Sequence, residues 1–283
     1  MFNVNGRPTT QLPDDLLHAQ RALYYADALF ETIRAFDGHL PFIDRHWARL
    51  SGGMKSLNMS IPNHWDSGFF QQEIEKTGAW NARIRLTVWR KPGGRLLPEI
   101  NDVSFLIETE PLPENTFTWN NRGLRVGICP SLRLTADDLS CWKSLNIARY
   151  AQAAQIARAN GWDDALLLNA RDRIVESSIC NLFWVKNNQV FTPPLSEGCV
   201  AGVLRGYLLD KLPEWGISVT EKAVLPVELA AADEVLLTNA VRGVQWVAGY
   251  PGEGTLGKEI FLLLRGISGN ASGNSNSSYD SES

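Results

Sequence analysis

Lys143 lies in the stretch Cys141-Trp142-Lys143-Ser144-Leu145-Asn146, where a strand-like run gives way to a helical one. An amine that attacks a carbonyl must spend time unprotonated, which takes a dry pocket or a neighbouring cation to lower a pKa that is normally about 10.4. Cys141, Trp142 and Leu145 are the flanks that would wall such a pocket, although by residue type alone a lysine is most often a solvated surface charge. Farther on, Gly198-Cys199-Val200-Ala201-Gly202-Val203-Leu204-Arg205 leads from a glycine-bearing loop into a helix. The backbone N–H groups of Val203 and Leu204 are thereby placed to hold a phosphate at the helix N-terminus. Arg90 and Arg95 bracket the loop Lys91-Pro92-Gly93-Gly94, where guanidinium groups either bind a substrate carboxylate or stand in solvent.

The elements that position these groups are readable from period and turns. Phe2-Asn3-Val4-Asn5-Gly6-Arg7 alternates and turns at Asn-Gly, as a strand entering a hairpin does. The run Tyr24 to Phe36, closed by Asp37-Gly38, reads as a strand with Phe30, Thr32 and Arg34 on one side and Leu29, Glu31 and Ile33 on the other. Glu31 and Arg34 in so apolar a strand need partners or water. A helix starts at Asp44, its expected cap, with Trp47 and Leu50 on the apolar face; a second runs roughly from Asp66 to Thr77. In the strand Ala82 to Arg90, Arg83, Arg85 and Thr87 oppose Ile84, Leu86 and Val88. Pro111 to Gly123 has the composition of a linker. Beyond it a strand over Leu124 to Cys129, a helix from about Leu145 to Asn160-Gly161, and hairpins such as the one at Asn187-Asn188 give an α+β mixture rather than a doubly wound sheet.

Several motifs recur in one order: Phe30-Glu31-Thr32-Ile33-Arg34, His46-Trp47-Ala48-Arg49-Leu50, Lys143, Ile174-Val175-Glu176-Ser177-Ser178, Asn181-Leu182-Phe183-Trp184 and Ala201-Gly202-Val203-Leu204-Arg205. From about Phe2 to Val247 the chain resembles the class IV aminotransferases. These pyridoxal phosphate (PLP) enzymes include branched-chain and D-amino-acid aminotransferases and 4-amino-4-deoxychorismate lyase. The resemblance implies that Lys143 forms the Schiff base with the cofactor and that Glu176 pairs with its pyridine nitrogen. It gives Arg49 to the cofactor phosphate, together with Val203, Leu204 and the turn Asn239-Ala240. It makes the strand of Phe30 and Thr32 a pocket wall. The family's usual Gly-Asp-Gly stands here as Ala26-Asp27-Ala28, threonine is replaced by Leu204, and Asn239-Ala240 with the Arg90-to-Arg95 loop is similar to the lyases. Two guanidinium groups there fit a substrate with two carboxylates, so Arg90, Arg95 and Phe30 are the expected substrate contacts. Thr32 is the expected aid to departure of the enolpyruvyl oxygen.

The implied architecture is the two-domain fold type IV: a smaller N-terminal α/β sandwich over 1–112, a linker over 113–123, and a larger barrel-like PLP-binding domain with helices over 124–267. The tail 268–283, rich in Ser, Asn and Gly, reads as disordered. A homodimer is implied as well, the commonest symmetric assembly. Of 283 residues 44% are hydrophobic and 20% charged, with net charge −4, so there is core enough to bury and no basic stripe for nucleic acid. No apolar run reaches the ~18 residues of a membrane helix, and the N-terminus lacks a signal peptide's pattern, so a cytoplasmic location is expected. Four cysteines without CxxC spacing and four histidines without an HExxH cluster point to free thiols and no metal site. Lys143 and Glu176 argue for an enzyme over a non-catalytic relative. A lyase releasing pyruvate and 4-aminobenzoate from 4-amino-4-deoxychorismate is the favoured expectation; the alternative is an aminotransferase of branched-chain or D-amino acids.

Overall fold

The computed structural model describes residues 2–10 and 19–269. Strands β1 (Phe2–Val4), β2 (Arg7–Thr9), β3 (Ala28–Ala35), β4 (Ala82–Arg90) and β5 (Val103–Pro111) form an antiparallel sheet in the order β2-β1-β5-β4-β3. Asn5 and Gly6, at φ +49° and +84°, make the tight turn between β1 and β2, as the Asn-Gly pair predicts. Two-residue periodicity sets the faces. Leu29 and Ile33 of β3 stand beside Val88 and Ile84 of β4 and pack under the helices α2 (Ile43–Ser56) and α3 (Ser67–Glu75), through Leu50, Met54, Phe70 and Ile74. The opposite face, carrying Phe30, Thr32, Arg34, Arg83 and Arg85, is left for a cavity.

Asp66 caps α3 by accepting from the Phe69 amide at 2.7 Å. Asp44 does not cap α2: the helix begins one residue before it, with Phe42 at the cap position. Its carboxylate sits instead in the first turn, where it faces the positive end of the helix.

The second sheet runs β11 (Val219–Glu221), β10 (Gln189–Thr192), β9 (Asn181–Lys186), β8 (Ile174–Ser177), β7 (Asp164–Asn169), β6 (Val126–Leu134). β9 also pairs with β12 (Glu234–Asn239), which pairs with β13 (Gly243–Trp246). Helix α4 (Ala148–Ala159) lays Ala153 and Ala157 on β6 and β7, the short α6 (Pro226–Ala230) precedes β12, and α5 (Val203–Glu214) and α7 (Thr255–Gly269) cover the β9–β12 side through Leu208, Leu212, Ile260 and Leu264. The mixture is the α+β arrangement expected.

The strand read over Leu124–Cys129 starts at Val126 and continues to Leu134, with a register shift between Cys129 and Arg133. The helix read from Leu145 starts at Ala148 because Ser144 and Leu145 are claimed by β3: the Leu145 amide donates to the Ala28 carbonyl at 3.0 Å. Within 113–123 Phe117 is buried and packs edge-on against Phe36 with ring centroids 4.8 Å apart. From residue 270 onward the expected tail lies outside the described residues; its first two residues belong to α7. No described helix is long and apolar enough to cross a membrane, and no cluster of potential metal ligands occurs among the described residues.

Candidate active site

β3 and β4 form one wall of a cavity of about 1430 Å³. Cross-strand register puts Phe30 beside Thr87, Thr32 beside Arg85 and Arg34 beside Arg83, so the cavity face carries one aromatic ring among several cations. Lys143 reaches this wall from the segment that extends the sheet past β3. Its carbonyl accepts from the Phe30 amide at 2.8 Å, and its Nζ stands 4.5 Å from the Phe30 ring centroid. Arg85 lies over the same ring, its Cζ 3.9 Å from the centroid. The Lys143 amine makes no hydrogen bond among the described residues. Burial, followed by the positive charge of Arg49, lowers its pKa to about 8 against the opposing pull of Glu31 and Glu176.

On the other face of β3, Glu31 meets α2. Its carboxylate receives Arg49 Nε at 2.8 Å on Oε1, a second Arg49 N–H on Oε2, and His46 Nδ1 at 2.6 Å. Burial alone would raise this carboxyl, but the charge of Arg49 and the hydrogen bonds from Arg49 and His46 prevail and hold it at about 2. Burial pushes His46 down. Against an ionised Glu31 its Nδ1 must carry the proton, which leaves Nε2 buried without a partner. Arg49 spends a third N–H on the Ala201 carbonyl at 3.0 Å, just before α5, and keeps two for the cavity.

At that end of the cavity the amides of Val203, Leu204 and Arg205, the first three of α5, have no acceptor among the described residues. The side chains of Val203 and Leu204 are buried in the core, so only their backbone faces the cavity. Gly202 must be glycine here, because a Cβ would lie 1.7 Å from Asn181 Oδ1. Beside it, Thr238 near the end of β12 lines the cavity, and its buried hydroxyl has no partner among the described residues. Asn239 builds the next turn by accepting from Val241 at 3.0 Å and Arg242 at 2.8 Å. Free helix amides, an orphaned hydroxyl and a guanidinium with N–H to spare are a donor set that fits a phosphate dianion.

Glu176, at the end of β8, is buried on the cavity wall. Tyr150 of α4 donates to its Oε1 at 2.8 Å, Asn181 Nδ2 to its Oε2 at 3.1 Å, and the Val200 amide to both oxygens. Burial outweighs these donors and raises the carboxyl to about 7. A carboxyl poised there can hold or yield a proton to a ring nitrogen in the cavity, the role the sequence implies.

Among the described residues, then, Lys143, Thr32, Phe30, Arg49, Glu176, Val203, Leu204, Asn239 and Ala240 all line one cavity. The two substrate arginines fare differently. Arg90 touches the cavity but is buried, with Nε on Asp27, one N–H group on the Asn58 carbonyl and Asn101, and the other on the Leu57 carbonyl, so its donors tie the end of α2 to the sheet. Arg95 is exposed, and only its carbonyl is used, by Arg21. The cations that do face the cavity next to Thr32 are Arg34, Arg83 and Arg85. Their alternation in β3 and β4 was the available signal. Tyr150 and Thr238, by contrast, carry no local pattern that sets them apart from any other polar residue.

Residues 28–250 match the family described as amino-transferase class IV. The aminodeoxychorismate lyase of Vibrio harveyi is 31% identical over 275 residues, 95% of this chain and 99% of that protein. A putative branched-chain-amino-acid aminotransferase of Methanocaldococcus jannaschii is 29% identical over 241 residues, 83% of each. The crystal structure of 4-amino-4-deoxychorismate lyase from Pseudomonas aeruginosa is similar with a TM-score of 0.79 at 29% identity, covering 94% of this chain and 98% of that one. Because the family match takes in β3, Lys143, Glu176 and the start of α5 together, the chain belongs to the class IV aminotransferases and its cofactor is pyridoxal phosphate.

Proposed function

We propose that this chain is a lyase that splits 4-amino-4-deoxychorismate into 4-aminobenzoate and pyruvate. The observation that carries the reading is the cavity wall beside Lys143, where Thr32 is flanked on β3 by Phe30 and Arg34 and paired across to Arg85, with Arg83 next along β4. Nine of the lining side chains are Lys or Arg and four are Asp or Glu, an excess suited to an anionic cofactor and a substrate with two carboxylates. The likeness to the lyase of Vibrio harveyi over nearly the whole of both chains supports the same reading.

In this reading the amides of Val203 and Leu204, the Thr238 hydroxyl and Arg49 would hold the phosphate, and Glu176 would pair with the pyridine nitrogen. When bound, pyridoxal phosphate supplies an electron-accepting ring for the charge left beside the substrate nitrogen. Lys143 Nζ, already inclined to lose its proton, takes the hydrogen from the ring carbon that bears the nitrogen. The neighbouring C–O bond breaks as the carbocycle becomes aromatic, and the Thr32 hydroxyl donates to the departing enolpyruvyl oxygen. Arg34, Arg83 and Arg85 hold the carboxylates in place. A homodimer is part of the proposal, and light scattering that found a fully active monomer would remove it.

Incubation of the purified protein with 4-amino-4-deoxychorismate tests the reaction, with pyruvate and 4-aminobenzoate expected in equal amounts. No pyruvate from that compound, together with ready transamination of leucine or D-alanine with 2-oxoglutarate, would make the chain an aminotransferase instead.

A further inference from the structure

We propose that Arg21 is a positioning residue for substrate entry: it clamps the loop 93–98 at the cavity mouth and so fixes where Leu96 and Pro98 stand in the wall. The inference concerns access to the cavity and holds for whichever amino substrate the site takes.

Arg21 belongs to the six-residue helix α1 (Gln20–Tyr25), just ahead of β3, and is 3% exposed. Its Nε donates to Asp27 Oδ2 at 2.8 Å. The rest of the guanidinium is turned on backbone: one nitrogen reaches the Gly93 carbonyl at 3.2 Å and the Arg95 carbonyl at 2.5 Å, and the other the Leu96 carbonyl at 3.2 Å. Asp27 Oδ2 also receives Arg90 Nε at 2.8 Å. Since Arg90 is itself fixed to the end of α2, one carboxylate oxygen links a guanidinium anchored in the body of the fold to one anchored in the loop.

Among the described residues the loop has little else to hold it. Leu96 and Leu97 are 78% and 83% exposed, so they contribute no core. Its own ties are a single bridge between Gly94 and Pro98 and a Glu99 N–H to Gly93 carbonyl bond at 3.5 Å. Gly94, at φ +73°, lets the chain fold this tightly, since a Cβ there would sit 2.3 Å from the Leu97 carbonyl. Three carbonyls on one buried, charged donor group are the loop's main restraint. Leu96 and Pro98 line the cavity, so the restraint is transmitted to its mouth. Arg21 touches none of the groups that do the chemistry; its effect should fall on substrate binding.

Limited trypsinolysis reads the clamp without any activity. In the loop, Lys91 is protected by Pro92, which leaves Arg95–Leu96 as the cleavable bond, and its carbonyl is one that Arg21 holds. In Arg21→Met we expect cleavage there to be about tenfold faster or more, because the loop opens more often. With 4-amino-4-deoxychorismate as probe, KM should rise about three- to tenfold with kcat within about twofold and the bound-cofactor absorbance unchanged. Leu96→Ala should raise KM by a similar factor, and the double variant should be no worse than the poorer single one. Arg21→Lys, which keeps a charge on Asp27 but cannot span three carbonyls, should show the same pattern more weakly and serves if Arg21→Met does not fold. Unchanged cleavage, a loss confined to kcat, or additive KM effects would overturn the proposal. A wild-type protein that released no pyruvate would move the KM measurement to leucine with 2-oxoglutarate and leave the cleavage result standing.

Discussion

The Nζ of Lys143 stands 4.5 Å from the ring centroid of Phe30, and the same two residues are joined through their main chains by the Phe30 amide at 2.8 Å from the Lys143 carbonyl. The candidate reacting amine is therefore carried on the edge of the sheet whose face lines the cavity. Lys143→Ala should bind pyridoxal phosphate only reversibly, with no covalent adduct recovered after borohydride reduction and peptide mapping. Adduct on another lysine would end the assignment.

With a pKa of about 8, the Lys143 amine of cofactor-free protein should gain reactivity as pH rises through 8, where an ordinary lysine waits for ~10.4. Between those values the unfolded chain binds the extra proton, so this group makes the cofactor-free fold more stable as pH rises. Competitive labelling across pH 7 to 10 measures the first effect, and a titration midpoint near 10 would refute it.

Removing Arg49 takes a cation from the cavity and the main counter-charge from buried Glu31. Arg49→Met should weaken cofactor binding about ten- to a hundredfold. It should also cost about 3 to 5 kcal/mol of folding stability, because Glu31 is left buried with His46 alone. Adding Glu31→Gln should restore part of the stability and none of the affinity. Denaturant melts and cofactor titrations of the three proteins decide it. In the parent protein Glu31, held at about 2, stabilises the fold above its unfolded value near 4.5, and this contribution is lost as pH falls towards 2.

Glu176→Gln would point an amide N–H2 at donors, since Asn181 and Val200 already offer N–H to that carboxylate. Turnover should fall by roughly two orders of magnitude while the cofactor stays bound. The raised pKa of Glu176 also makes the cofactor-free fold lose stability between pH 4.5 and about 7, where the unfolded chain has released a proton the folded one keeps. That slope should vanish in Glu176→Gln, as melts across the same interval would reveal.

If the proposed lyase reaction holds, Thr32→Val should lower turnover about ten- to a hundredfold without altering cofactor absorbance, since the proposal gives the hydroxyl a part only in departure of the enolpyruvyl oxygen. Arg95→Ala should leave KM within about twofold, because its side chain is exposed at the loop surface and Arg21 uses only its carbonyl. Arg85→Ala should raise KM well beyond that. Equal KM values for Arg85→Ala and Arg95→Ala would contradict the assigned wall.

Alternation was enough to sort β3 into a face with Phe30, Thr32 and Arg34 and a face with Glu31, and to say that Glu31 needed a partner. It did not reveal that the partner is Arg49, because a helix and a strand meet through packing that neither period specifies. Arg90 and Arg95 look alike beside a glycine pair, yet one is drawn inward by Asp27 and the Leu57 carbonyl while the other is exposed. Thr238 ends a buried apolar strand and reads as an ordinary strand threonine until the missing hydrogen bond is seen. Helix α7 is legible in the spacing of Ile260, Phe261 and Leu264, which pack with Leu236, although the polar tail that follows obscures its end.

The bridge between Leu29 and Ser144 joins residues about 115 positions apart, so it forms only after the intervening chain has been organised, and such distant closures are slow. During refolding, capture of pyridoxal phosphate should therefore lag behind recovery of native tryptophan fluorescence, and the lag should lengthen in Leu29→Ala, whose seat beneath the bridge is weakened. A newly made chain would pass through an interval in which it is compact but unable to take its cofactor.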